Sequence, residues 1–207
     1  MSDVKSKEPA TAVDRPSDDT TKRLERLFAE GDRFCERMGL PREFTKTLYR
    51  SDDWSFCILS ASIVEAALNE ILVRGIKFQH DKILIEGSQF ANFIERLPML
   101  GRSGRHALAK IIDLPIEFVD FIEALFIVRN AYAHRLSNVT KSVHEIVQDH
   151  PERNRLLKIF TGFEGKNAET FMEMAKADAG VTKFAVFEAL LRFCLLMNLV
   201  AKDTSLT

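Results

Sequence analysis

The sequence has few of the residues that build turns and disulfides, and its charges nearly cancel. Its 207 residues include 9 glycines, 6 prolines and 3 cysteines, and the formal net charge at pH 7 is -1. So few turn-forming residues argue against an all-β fold, which needs a turn after every short strand. A net charge near zero gives no general attraction for nucleic acid, so any such surface must be a local patch.

The cysteines are odd in number and far apart, at Cys35, Cys57 and Cys194. Each lies in an apolar segment of helical pattern, which predicts buried thiols rather than a disulfide framework. Free thiols are typical of a reducing compartment, and the polar N-terminus has no apolar core of a signal peptide. We therefore expect a cytoplasmic protein, without a metal site or a cofactor.

One apolar segment, Phe184 to Ala201, approaches the length of a membrane span. It contains Glu188, Arg192 and Asn198, and charges are costly at the centre of a bilayer. Glu188 and Arg192 are four residues apart, the spacing of a surface ion pair on a helix. The segment is predicted to be a buried bundle helix, with no membrane partner.

Apolar residues recur at helical spacing through most of the chain. Residues 1–19 are polar and predict a disordered tail, and Thr20 or Thr21 is the predicted cap of a first helix ending near Met38. Ser51-Asp52-Asp53 suits the start of a second helix, and its apolar stripe reaches Ile71. No strand pairing or internal repeat is evident. The prediction is an all-α helical bundle forming a single domain over residues 20–207.

Arg129, Asn130 and His134 end a helix predicted from Pro115 to about Arg135. On an ideal helix Arg129 and His134 lie ~140° and ~7.5 Å apart, whereas Asn130 and His134 share a face. Arg129 falls on the apolar stripe, where a guanidinium needs a cleft or a carboxylate. We expect the helix end to border a groove, with Asn130 orienting His134 and Arg129 entering from the flank.

Two interpretations of these three residues stay open at this point. A neutral imidazole can take the proton of a ribose 2′-hydroxyl while an arginine stabilises charge on the phosphate, and this needs no metal. Alternatively, Arg129 is a structural ion-pair residue, and Asn130 and His134 close a helix C-terminus, where histidine is favoured.

The segment RNAYAH, Arg129 to His134, resembles the Arg–polar–three residues–His motif of HEPN domains. The run from Ser60 to Leu72 and the segment from Gly87 to Gly101 are similar to the MltR-like (mannitol-operon regulator-like) group of that superfamily. The resemblance covers about residues 50–160. It implies a HEPN-like bundle with extra C-terminal helices.

The resemblance also implies a function. In catalytic HEPN members, the arginine–histidine helices of two subunits form one composite cleft that cuts RNA. Carried over, this makes the chain a homodimer and a metal-independent endoribonuclease with Arg129, Asn130 and His134 as catalytic residues. MltR-like relatives are associated with regulation, so a non-catalytic regulator or adaptor that acts through protein contacts is the alternative.

Glu65 lies on a polar line with Ser62 and Asn69 along the second helix. Either its carboxylate orients Arg129 from behind the site, or the line is solvated. The loop from Gly101 to His106 is basic, and Arg102 and Arg105 either bind phosphate there or are simply solvated.

The remaining histidines do not predict a metal site. His144 and His150 are not spaced as an i, i+4 metal-binding pair, and no cysteine lies nearby. No helix-turn-helix pattern is evident, so direct reading of a DNA operator is not expected. The expected partners are a second copy, RNA, and a protein such as an antitoxin or a regulator.

Overall fold

The computed structural model describes residues 18–79 and 87–203. Within these ranges the chain forms α-helices and short 3₁₀ turns and no strand, which confirms the predicted all-α bundle. The helices are α1 (Asp18–Arg37), α2 (Phe44–Arg50), α3 (Asp53–Gln79), α4 (Gly87–Arg96), α5 (Arg105–Ile111), α6 (Ile116–His134), α7 (Val143–Gln148), α8 (Arg153–Thr161), α9 (Ala168–Ala177) and α10 (Ala179–Asp203).

The predicted disordered tail lies outside the described residues except for its last two, Asp18 and Asp19, which begin α1. The first helix therefore starts before Thr20, and neither threonine is its cap. The expected boundaries of the central helices are close to those observed. α6 begins one residue after Pro115, and α3 begins at Asp53 but continues four residues past Gly75.

The core is built from three long helices, α3, α6 and α10, whose apolar residues cover more than one face. A helix that is apolar nearly all round must be buried on several sides. Accordingly α10 packs against α1, α3, α7, α8 and α9, and α3 packs against α6. Phe121 of α6 contacts the rings of Phe160, Phe163 and Phe193. Because α6 is held this firmly, its C-terminal end has a defined position.

Acidic side chains organise the start of α3, as predicted from Ser51-Asp52-Asp53. Asp52 accepts hydrogen bonds from the backbone N–H of Ser55 at 2.9 Å and its hydroxyl at 2.7 Å, and these bonds lower the pKa of Asp52. Asp53 pairs with Lys183 of α10 at 2.9 Å. Its other oxygen accepts the N–H of Val143, the first residue of α7, at 2.7 Å. One carboxylate thus connects three helices.

The apolar helices are those of a folded core. Among the described residues one helix, Asp53–Gly75, is long and apolar enough to cross a membrane, and 56% of that window is buried. The core helix of a soluble protein passes the same test, so this one helix is weak evidence for a membrane span. In α10, Glu188 does pair with Arg192, at 2.7 Å, but it is 3% exposed rather than on the surface, and Arg23 also contacts it at 2.6 Å.

All three cysteines are buried and unpaired, which confirms the predicted buried thiols. Burial raises the pKa of Cys35 to about 11, with a smaller contribution from Asp32. Burial also raises the pKa values of Cys57 and Cys194. The thiols therefore stay protonated at neutral pH and are poor nucleophiles.

The loop before α5 folds tightly onto itself. The N–H of Arg105 donates to the carbonyl of Pro98 at 2.8 Å, and the N–H of Gly104 donates to that of Gly101 at 3.0 Å. A Cβ atom on Gly104 would lie 2.6 Å from the carbonyl oxygen of Leu100. Because that oxygen belongs to the backbone, a side chain at position 104 must displace the loop.

We therefore expect Gly104→Ala to lower the free energy of unfolding by about 1–3 kcal/mol, the usual cost of forcing extra volume into a packed site. Gly162→Ala is the matched control, because no atom lies within 4 Å of its added Cβ and its φ is -63°. That variant should stay within ~0.5 kcal/mol of the parent. Urea unfolding followed by circular dichroism measures both. Equal losses in the two variants would contradict the packing of this loop.

Candidate functional site

The C-terminal end of α6 is closed by the chain that follows it. His134 is the last helical residue, and Arg135 leaves the helix in an extended conformation with φ -138° and ψ 107°. The side chain of Asn138 donates to the carbonyl of Ala131 at 2.8 Å and so satisfies one of the last carbonyls of the helix. The buried Tyr132 donates its hydroxyl to the carbonyl of Lys141 at 2.9 Å.

The next helix, α7, is fixed at its start by a capping box. The hydroxyl of Ser142 accepts the N–H of Glu145 at 3.1 Å, and the carboxylate of Glu145 accepts the N–H of Ser142 at 2.7 Å. The Ser142 hydroxyl also donates to this carboxylate at 2.8 Å, and the two bonds that the carboxylate accepts from Ser142 lower the pKa of Glu145. Together with the bond from Val143 to Asp53, the box sets the direction of α7 and the position of the residues that follow it.

A cleft of about 430 Å³ opens between the end of α6 and the end of α7. α6 lines one wall with Asn130, His134 and the apolar Ile127. The opposite wall comes from Asp149 and His150. The expectation that this helix end borders a groove agrees with the observed geometry, and Asn130 and His134 line the same groove.

Several groups in the cleft carry or can acquire positive charge. His134 and Arg135 are both exposed and line it. Lys141 also lines it and forms an ion pair with Asp149 at 2.7 Å, which largely neutralises the acid in this cleft. Although the whole chain has a net charge near zero, this small region is locally basic, as a site for an anionic ligand requires.

Arg129 is the neighbour of a lining residue, Asn130. It does not line the cleft, and its guanidinium donates to the side-chain oxygen of Asn130 at 3.1 Å. Asn130 is therefore held by Arg129 rather than by His134. The guanidinium is bonded to Asn130, and five residues on an ideal helix set Arg129 and His134 ~140° apart.

Glu65 pairs with Arg105 and not with Arg129, which was its partner in one of the two interpretations. It accepts a hydrogen bond from Arg105, whose other terminal nitrogen donates to Asn69 at 2.6 Å. Arg105 is 5% exposed, so its guanidinium is turned inwards against α3 and is not available to a ligand in solution. Of the two arginines suggested for phosphate binding, Arg102 alone is exposed. The polar line on α3 therefore serves to attach α5.

His144 and His150 have local hydrogen-bond partners, whereas the buried Nδ1 of His106 has none among the described residues. Nδ1 of His144 lies 2.9 Å from the hydroxyl of Thr182, at the contact of α7 with α10. Nδ1 of His150 accepts the N–H of Glu152 at 3.1 Å. In the part of the chain that the structure describes, no group of three or more His, Cys, Asp or Glu side chains is arranged to hold a metal ion.

No protein-family model, curated protein or solved structure matches this chain. The interpretation of the cleft therefore depends on its own geometry, together with the motif in α6.

Two cleft residues were missed by the sequence analysis, Arg135 and His150. Arg135 directly follows the motif, and its position just beyond a helix end was the available signal. His150 was considered only as a metal ligand with His144, and no pattern in the sequence indicates that α7 returns it to the cleft that His134 lines.

The pairing of Arg105 makes a stability prediction. Arg105→Ala should lower the free energy of unfolding by about 1–3 kcal/mol, because it leaves Glu65 and Asn69 without their partner. Arg102→Ala, in the same loop but exposed, should change it by less than ~0.5 kcal/mol. Thermal unfolding of both variants tests this. The prediction would be contradicted if Arg105→Ala left the free energy of unfolding unchanged but weakened binding of an anionic ligand. That result would show that Arg105 faces solvent.

Proposed function

We propose that the protein binds single-stranded RNA in the cleft at the end of α6 and cleaves it without a metal ion. The observation that carries this proposal is the composition of the cleft. The histidine of the motif, a second histidine, an arginine and a lysine line one open cavity of about 430 Å³. That volume is within the usual range of ligand pockets, about 300–1,000 Å³.

RNA suits this arrangement because it carries its own nucleophile. His134 is exposed in the cleft, and a neutral imidazole near pH 7 can accept the proton of a 2′-hydroxyl. Asn130 lies one turn earlier on the same face and positions the substrate beside His134. Arg129 acts through its hydrogen bond to Asn130. A flexible single strand can place a ribose in the cleft more readily than a duplex can.

The resemblance to a known superfamily supports the same proposal. The resemblance of Arg129 to His134 and of the helix around Glu65 to HEPN domains favours an RNA-directed protein of that superfamily. The proposed location is the cytoplasm, which agrees with three unpaired, buried thiols.

The direct test is incubation of purified protein with RNA in EDTA. The wild type should produce fragments with 2′,3′-cyclic phosphate ends, and His134→Ala should slow cleavage by ~10²–10⁴-fold, the usual contribution of a general base. His144→Ala is the matched control, because that histidine contacts Thr182 outside the cleft. Circular dichroism confirms that the variants fold. Absence of cleavage by the wild type at high protein excess would rule out the enzyme.

One observation favours the alternative, a regulator or adaptor that acts through protein contacts. Leu136 lies two residues after the motif and is 92% exposed, and the nearby Val139 is 40% exposed. Apolar side chains so open to water often lie in a protein–protein contact. We propose that this contact is with a second copy of the chain, which gives the homodimer that the motif implies.

Leu136→Asp should therefore dissociate the dimer into monomers, because the substitution places a charge in an apolar contact. Ile111→Asp is the control, since Ile111 is also exposed, at 64%, but lies at the end of α5. Sedimentation equilibrium measures the mass of each. A wild type that is monomeric at tens of micromolar would contradict the interface. A stable dimer without ribonuclease activity would favour the adaptor.

A further inference from the structure

The proposed cleavage needs a group that stabilises negative charge on the phosphate, and Arg129 does not line the cleft. Charge builds on the non-bridging oxygens as the 2′-oxygen attacks, so a donor must contact them directly. The cleft of a single chain contains groups that can do this. They are Arg135 and His150.

Arg135 has the geometry of an accessible phosphate ligand. It is the first residue beyond α6, its backbone is extended, and its side chain is exposed in the lining of the cleft. Within the described residues no carboxylate or carbonyl pairs with its guanidinium, in contrast to Arg105 and Arg155. A guanidinium with no partner in the protein can bind two phosphate oxygens at once.

His150 is held in the opposite wall by its own turn. Its carbonyl accepts the N–H of Arg153 at 3.1 Å, and its Nδ1 accepts the N–H of Glu152 at 3.1 Å. A ring nitrogen that accepts a hydrogen bond carries no proton, so the neutral ring has its proton on Nε2. The ring therefore offers one N–H donor, on the nitrogen that its own turn does not use.

The acid in this wall does not oppose a phosphate. Asp149 precedes His150 and could repel an anion, but Lys141 pairs with it at 2.7 Å. The ion pair leaves the charge of Arg135 uncompensated in the cleft. The other titratable group that lines the cleft is His134, the proposed base.

We propose that Arg135 and His150 together bind the scissile phosphate, so that one chain contains both the base and the phosphate contacts. This inference rests on the proposed RNA cleavage.

The bond from the 2′-oxygen to phosphorus forms as the bond from phosphorus to the 5′-oxygen breaks. The 2′-hydroxyl proton passes to His134, and the leaving 5′-oxygen takes a proton from water. The imidazolium then returns its proton to the hydroxide so formed. Arg135 and the Nε2–H of His150 donate to the non-bridging oxygens throughout.

The test combines two measurements on each variant. One is the rate of RNA cleavage in EDTA, and the other is the affinity for a 2′-O-methyl oligoribonucleotide, which has no nucleophile and cannot be cut. The variants are Arg135→Ala, His150→Asn, Arg129→Ala and His134→Ala. Asparagine at position 150 can still accept the N–H of Glu152 near the place of Nδ1, but it has no donor in place of Nε2. It therefore separates a contact to phosphate from support of the turn.

We expect Arg135→Ala and His150→Asn each to slow cleavage by ~10²–10³-fold, the usual effect of removing a donor to the transition state. Both should also weaken binding of the uncleavable RNA. His134→Ala should lose cleavage but retain binding, and Arg129→Ala should stay within ~10-fold of the wild type because it acts through Asn130.

Two results would overturn the inference in different ways. If Arg129→Ala abolishes cleavage while Arg135→Ala and His150→Asn behave as the wild type, the guanidinium is supplied by Arg129, as in a cleft shared by two copies. If the wild type neither cleaves RNA nor binds the uncleavable strand, the inference and the proposed function both fail. Binding that depends on Arg135 and His150 without any cleavage would refute the ribonuclease and support the phosphate site.

Discussion

The carboxylate of Asp53 joins the helices on which the cleft depends. One oxygen pairs with Lys183 of α10 and the other accepts the first N–H of α7, while the ammonium of Lys183 also lies 5.2 Å from the centre of the Phe56 ring. Both partners are largely buried, so water weakens these bonds little. The direction of α7 follows from this contact and from its capping box. Since α7 leads to the wall that contains His150, a contact remote from the cleft helps to position that wall.

The other wall depends on where α6 stops. A helix leaves its last carbonyls unsatisfied, and here Asn138 supplies a donor to Ala131 while Tyr132 holds the returning chain at Lys141. These bonds turn the backbone sharply after His134 and leave Arg135 extended and exposed. Candidate side chains thus lie on a helix end and short loops, and the buried helices give them a rigid support.

The sequence predicts the parts of this structure that depend on local periodicity. Apolar spacing identifies α3, α6 and α10, and the shared face of Asn130 and His134 indicates a groove at the end of α6. Contacts between distant segments were not predictable. The sequence left open whether Glu65 orients Arg129 or lies on a solvated line, and the fold of the loop before α5 brings Arg105 to it instead. His150 is missed for the same reason, since its place beside α6 depends on Asp53, ninety residues before Val143.

The spacing within the motif has a consequence for how the site is built. An arginine and a histidine five residues apart on one straight helix face directions that differ by ~140°, so their side chains do not simply point together. α6 is regular through this region and ends only at His134.

Two arrangements can place a cation beside the phosphate and the base His134. A second copy can present its Arg129 to this cleft, or the same chain can supply its own cations from beyond the helix. Arg135 and His150 already lie in the cleft of one chain, and Arg129 is bonded to Asn130. The second arrangement therefore requires no movement of the helix and no partner to complete the phosphate contacts.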